Sequence, residues 1–155
     1  MKKMKFTIYG EPFGKLNMRP TVRGGHARSF NPKQNVEYMG RIIDVLDKTE
    51  LVRFEKEEPI SLLIIAYYKI PKDKYVYHKK TNTTDLTKQG QLMADHKLLP
   101  TKKPDLDNIS KVVCDAITKQ GGVWYDDSQI TCELLMKYYD LVPRVEVTIE
   151  GGKKE

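Results

Sequence analysis

Hydrophobic and polar positions change rhythm several times along the chain, and each rhythm predicts an element. Residues 5–9 alternate as Lys5, Phe6, Thr7, Ile8 and Tyr9, the period of a strand with one buried face, and Gly10-Glu11-Pro12 closes it with a turn. After Asn31-Pro32, residues Val36, Met39, Ile43 and Leu46 recur at helical spacing and predict a helix over Lys33–Lys48. Ile60–Tyr68 is a β-rich apolar run that suits a central strand, and a short helix is predicted around Leu86–Lys97. From Asp107 onward, Ile109, Val112, Val113, Ala116 and Ile117 fall at the spacing of one buried helix face. Ile130–Tyr139 and Val145–Ile149 read as strands joined by a turn at Asp140–Arg144, and their closeness in sequence predicts an antiparallel pair. The glycine- and lysine-rich end, 151–155, reads as a flexible tail, leaving 1–150 as a single domain.

Composition narrows the class. A chain of 155 residues, 39% hydrophobic and 31% charged, suits one globular core, and no apolar run approaches the ~20 residues that span a bilayer. The basic start leads into an alternating strand pattern rather than the apolar centre of a secretory signal, so a cytoplasmic protein is expected. Cys114 and Cys132 lie in apolar patterns with no Cys or His at ligand spacing. They read as buried thiols in a reducing compartment rather than a disulfide or a zinc site.

The net charge of +6 is unevenly placed. Residues 1–30 and residues 69–103 each carry +6, and the remainder of the chain sums to −6. Clusters of Lys and Arg attract phosphates, so the two basic segments point to nucleic acid. The first of them, Gly14 through Arg28, is a Gly- and Pro-punctuated loop in which backbone and guanidinium groups can approach phosphates closely. The second carries Tyr75, Tyr77 and His78 among its lysines, able either to stack on bases or to pack the loop onto its own sheet.

The acidic remainder holds the chemistry. Lys103-Pro104-Asp105-Leu106-Asp107-Asn108 and, beyond the helix, Tyr125-Asp126-Asp127-Ser128-Gln129 bring up to four carboxylates within 23 positions. Carboxylates gathered without a cation repel one another, whereas a hard divalent ion takes oxygen ligands and keeps positions open for water and phosphate. Metal-assisted phosphodiester chemistry follows. Plainer explanations exist for each part: Asp105 or Asp107 could be a helix cap, and Asp126-Asp127 could be a turn. Lys111, four residues after Asp107, projects from the same helix surface, where it can hold a carboxylate or contact a phosphate.

The 103–108 motif, Lys111, Asp115-Ala116 and Trp124 through Ile130 together resemble the RusA family of Holliday junction resolvases, often encoded by prophages. The resemblance extends to the strand and the Gly-Pro-basic loop over Gly10–Pro20, and to Phe30-Asn31-Pro32. It implies a small α/β homodimer that binds four-way DNA junctions and cuts two opposing strands symmetrically with Mg2+ or Mn2+. Matched by position, the family's three essential aspartates are Asp105, Asp107 and Asp127, acting as metal ligands, and its essential lysine is Lys111. Asp126 matches a further acid common in the family. DNA contacts are expected, by position in the basic loop, at Lys15, Asn17, Arg19 and Arg23.

The sequence thus predicts an α/β (α+β) fold of two layers, with a mixed, largely antiparallel sheet backed by helices. The expected activity is Mg2+-dependent cutting of branched DNA by a homodimer with no membrane partner. Two other readings stay open: a non-catalytic branched-DNA-binding protein, and a nuclease acting on flaps or single strands.

Overall fold

The computed structural model describes residues 1–152. Four strands form the main sheet: β1 (Lys2–Tyr9), β4 (Ile60–Lys69), β7 (Ile130–Asp140) and β8 (Arg144–Gly151), in the order β1-β8-β4-β7. β8 is antiparallel to both β1 and β4, and β7 runs parallel to β4. The sheet is therefore mixed and mainly antiparallel, as predicted. The expected direct pairing of the last two strands is not observed. β4, buried at Ile60, Leu62, Ile64, Ala66 and Tyr68, lies between β7 and β8, so the turn after Asp140 crosses the end of a central strand. A continuously apolar strand gains more by occupying the middle of the sheet than its less apolar neighbours do by pairing with each other.

Two helices, α1 (Lys33–Asp47) and α3 (Leu106–Gln120), pack side by side and cover one face of this sheet. The stripe predicted for α3 is buried as expected. That of α1 is shifted: Tyr38, Met39, Ile42 and Leu46 enter the core with Asn35, while Val36 is exposed and Ile43 only half-buried. Tyr38 supplies a large ring that the aliphatic pattern alone overlooked, and burial pushes its hydroxyl up to about 12.

Both basic segments contain hairpins absent from the sequence expectation. β2 (Arg19–Arg23) pairs with β3 (His26–Phe30) across Gly24-Gly25, both at positive φ, the two-residue turn that fits the twist of antiparallel strands. β5 (Tyr75–His78) pairs with β6 (Thr83–Leu86), followed by α2 (Lys88–Ala94), which is shorter than the predicted helix. Nearly all the hairpin residues are exposed, so no hydrophobic period marks them. β8 also runs on to a buried Gly151, one residue into the expected tail, where a Cβ would meet the Phe54 ring at 2.6 Å. The rest of that tail expectation, 153–155, lies outside the described residues. Among the described residues no helix is long and apolar enough to cross a membrane.

Candidate active site

Asp105 occupies the N-cap position of α3 in extended backbone, and its carbonyl begins the helix by accepting from Ile109 N at 3.1 Å. Its side chain makes no capping hydrogen bond. The capping explanation thus accounts for its backbone and leaves its carboxylate available. The preceding residue is anchored by Tyr68 at the end of β4, whose hydroxyl donates to Pro104 O at 2.7 Å. Burial chiefly, and then the charge of Asp105, raises that hydroxyl's pKa. Asp107 stands in the first helical turn, where the positive end of the helix dipole favours a negative charge. Lys111 Nζ lies 3.6 Å from Asp107 Oδ2, and Asp115 continues the same stripe one turn further on.

The second acidic motif is pinned from below. Trp124 is buried and donates its indole N–H to Thr118 Oγ1 at 2.8 Å. The buried side chain of Gln129 accepts from Tyr125 N at 2.8 Å and Asp126 N at 3.3 Å, and donates to Glu55 O at 2.8 Å and Glu58 O at 3.1 Å. Asp126 caps the 3-10 turn Asp127–Gln129 and accepts from the Ser128 hydroxyl, a bond that holds its carboxyl below the usual range. The turn explanation therefore describes Asp126 well. It does not describe Asp127, whose carboxyl is pushed up first by burial and then by the charges of Asp126 and Asp115.

The basic loop crosses this helix as a strap. Gly14 is buried so tightly that a Cβ there would sit 2.7 Å from Pro104 Cβ and 3.1 Å from Asn108 Cβ. Lys15 N donates to Asn108 O at 2.8 Å, and Lys15 Nζ reaches Asp115 Oδ2 at 2.5 Å. Asn35, fully buried on α1, holds the strap from the other side. Its Oδ1 accepts from Leu16 N at 2.8 Å, and its Nδ2 donates to Leu16 O at 2.9 Å and to Asn31 Oδ1 at 2.8 Å. A cavity of about 400 Å³ lies between strap and helix, lined by Gly14, Lys15, Asn17, Lys103, Asp105 and Asn108 among others.

Asp105, Asp107 and Lys111 therefore share the amino-terminal half of α3, while Asp127 stands in a turn whose charge neighbours are Asp126 and Asp115. Among the described residues no group of three His, Cys, Asp or Glu side chains is close enough to hold a metal ion. The donor chemistry nonetheless suits a hard divalent ion, because all the acids are oxygen ligands and Asp127 already bears like-charge crowding. Of the four positions expected at DNA, Lys15 is engaged with Asp115, Asn17 lines the cavity, and Arg19 and Arg23 are exposed on β2. Sequence reasoning missed Asn35 and the part Asp115 plays as the partner of Lys15. The match of Asp115 to the family motif was the available signal for the latter; nothing in the pattern marked Asn35.

Two comparisons bear on this arrangement. The family model described as Endodeoxyribonuclease RusA matches residues 9–150. The Uncharacterized protein YqaN of Bacillus subtilis (strain 168) is 29% identical over 146 residues, covering 94% of each chain. The family match takes in the strap, both acidic motifs, all of β4 and β7 and all but the last residue of β8, and it begins at Tyr9, the last residue of β1. This chain belongs to the RusA family of endodeoxyribonucleases.

Proposed function

We propose that the protein is a divalent-metal-dependent endonuclease that resolves four-way DNA junctions by symmetric cuts in two opposing strands. The observation that carries this reading is the α3 end itself: an uncapped Asp105 carboxylate, Asp107 and Lys111 in a row, beside a cavity roofed by a basic strap. Asp105, Asp107 and Asp127 are the residues that would hold Mg2+, or Mn2+ in its place. Such an ion lowers the pKa of a bound water and offsets charge on a phosphate under attack. Lys111 would stabilise the negative charge that builds on the scissile phosphate or the departing oxygen. Asn17, Arg19 and Arg23 would meet the backbone around the cut, with Lys15 linking the strap to Asp115 at its root.

Symmetric cutting needs one site per strand, which a two-fold dimer provides. A second copy also answers a feature of the sheet. β7, with 11 residues, is an edge strand whose Leu134 is exposed, and long apolar edges favour association. A DNA substrate implies action where the DNA is, in the cytoplasm.

The test is a cleavage assay on a synthetic four-way junction, a flap and a linear duplex of matched sequence, each with Mg2+, Mn2+ or EDTA. Metal-dependent paired nicks confined to the junction support the reading. Preference for the flap would make the protein a flap nuclease, and junction binding with no cutting in either metal would make it a binding protein.

A further inference from the structure

The hairpin β5–β6 has no part in the site just described and meets the core only at its root. Only Tyr75 and Leu86, at its root, are partly buried. Its cations are Lys72 and Lys74 at the base and Lys79 and Lys80 towards the tip, opposed by Asp73 and Asp85. The ribbon is braced at both ends. Thr87 N donates to Lys74 O at 2.8 Å, and a Cβ on the buried Gly90 of α2 would lie 2.7 Å from that same oxygen, so α2 sits hard against the root. Near the tip, the Tyr77 hydroxyl donates to Asn82 Oδ1 at 2.6 Å. A braced, exposed, cationic ribbon of two strands has the shape that enters a DNA groove, and its lysines have the chemistry that takes phosphates.

Topology puts this ribbon at the end of the sheet where α3 begins. β1 and β4 both run antiparallel to β8, so their carboxyl ends lie at the same edge of the sheet, two strand spacings or about 10 Å apart. The end of β1 leads into the strap and β2–β3, and the end of β4 leads into β5–β6. Tyr68, at that end of β4, also holds Pro104, and with it the start of α3. The two hairpins depart on opposite sides. The strap packs on the helix-covered face, with Phe13 5.1 Å from Tyr38 between ring centroids and Leu16 clamped by Asn35. α2 belongs to the other face, where His96, just beyond it, stacks on Tyr138 at 4.5 Å.

The geometry points to β5–β6 as a second DNA arm: with β2–β3 it straddles the carboxylate-bearing end of α3, and Lys79 and Lys80 engage the phosphate backbone of a duplex arm leaving the cut site. This rests on the nuclease reading and extends it to the contacts that hold the branched substrate. It also explains why a cationic ribbon that meets the core only at its root is so firmly braced.

The experiment measures affinity for a four-way junction in EDTA across a salt series, for the wild type, the double variant Lys79→Ala/Lys80→Ala, and a control double variant, Lys48→Ala/Lys119→Ala. The control removes the same charge from the carboxyl-terminal ends of α1 and α3, away from Asp105. The hairpin variant is expected to bind more weakly and to lose about one unit of log–log salt slope per lysine, while the control keeps the wild-type slope. A hairpin variant with unchanged slope and affinity, or a control that falls equally, overturns the second arm alone. A wild type that binds no branched DNA overturns it together with the function on which it rests.

Discussion

Asn35 shows how one buried amide organises the site. A helix facing a core ordinarily presents apolar groups, and an unpaired buried amide is costly, yet here every donor and acceptor used is matched by the strap or by Asn31. Asn35→Leu would leave the Leu16 N–H and C=O without partners, costing about 1–3 kcal/mol for each group that water does not reach. The expected result is a lower melting temperature together with weakened junction binding. An unchanged melt and unchanged affinity would show that the strap holds itself. The two cysteines give a second residue-scale check. Cys114 is buried, and burial pushes its thiol up to about 12, so it stays protonated and unreactive at pH 8. Cys132, expected from the pattern to be buried, is instead exposed on the β7 edge. Alkylation of the native protein at pH 8 should therefore spare Cys114, which reacts only in denaturant; native modification of Cys114 would contradict its placement.

At the scale of elements, α3 carries most of the account. Its apolar stripe was legible from Ile109 to Ile117, because a helix that lies against a sheet shows its period directly in sequence, whereas the buried Ser110 carried no such mark. On its outer stripe the pairing of Lys111 with Asp107 was legible from their four-residue spacing, but the partner of Asp115 was not: Asp115 is taken by Lys15, 100 positions away in sequence. Contacts of that range leave no local trace. The same limit explains the strand order, since nothing in 130–149 announces that β4 will separate β7 from β8. The β2–β3 hairpin was marked by Gly24-Gly25, but without alternating hydrophobics around that turn the signal is weak. Lys111 offers the sharpest test at this scale. Its ion pair with Asp107 is exposed and contributes only about 0.3–0.5 kcal/mol, so Lys111→Ala should melt close to wild type. If the lysine stabilises charge on the phosphate, the single-turnover rate on a preformed junction complex should fall by orders of magnitude. Normal melting with a near-parental rate would reduce Lys111 to surface charge.

For the whole molecule, the two basic segments and the start of α3 meet at one end of the sheet, while Asp127, just before β7, stands towards the other, because β7 runs parallel to β4. The cationic strap and hairpin leave the carboxyl ends of β1 and β4, and α3 begins beside them. On the proposed function, that end would face the branch and a second copy would complete the pair of cuts. Light scattering should give a mass near twice the 18.0 kDa chain, and Leu134→Glu on the β7 edge should shift it towards the monomer. A monomer under conditions of full cleavage activity would remove the dimer from the mechanism. On the proposed function, Asp105, Asp107 and Asp127 serve the cutting step rather than folding or binding. The most direct measurement takes Asp105→Asn, Asp107→Asn and Asp127→Asn one at a time, forms the junction complex in EDTA, and follows single-turnover cleavage after excess Mg2+ is added. The account predicts junction affinity equal to or tighter than wild type, because a repulsion against phosphate is removed, with cleavage lost in each variant. Three variants that bind and cut at the wild-type rate would contradict it.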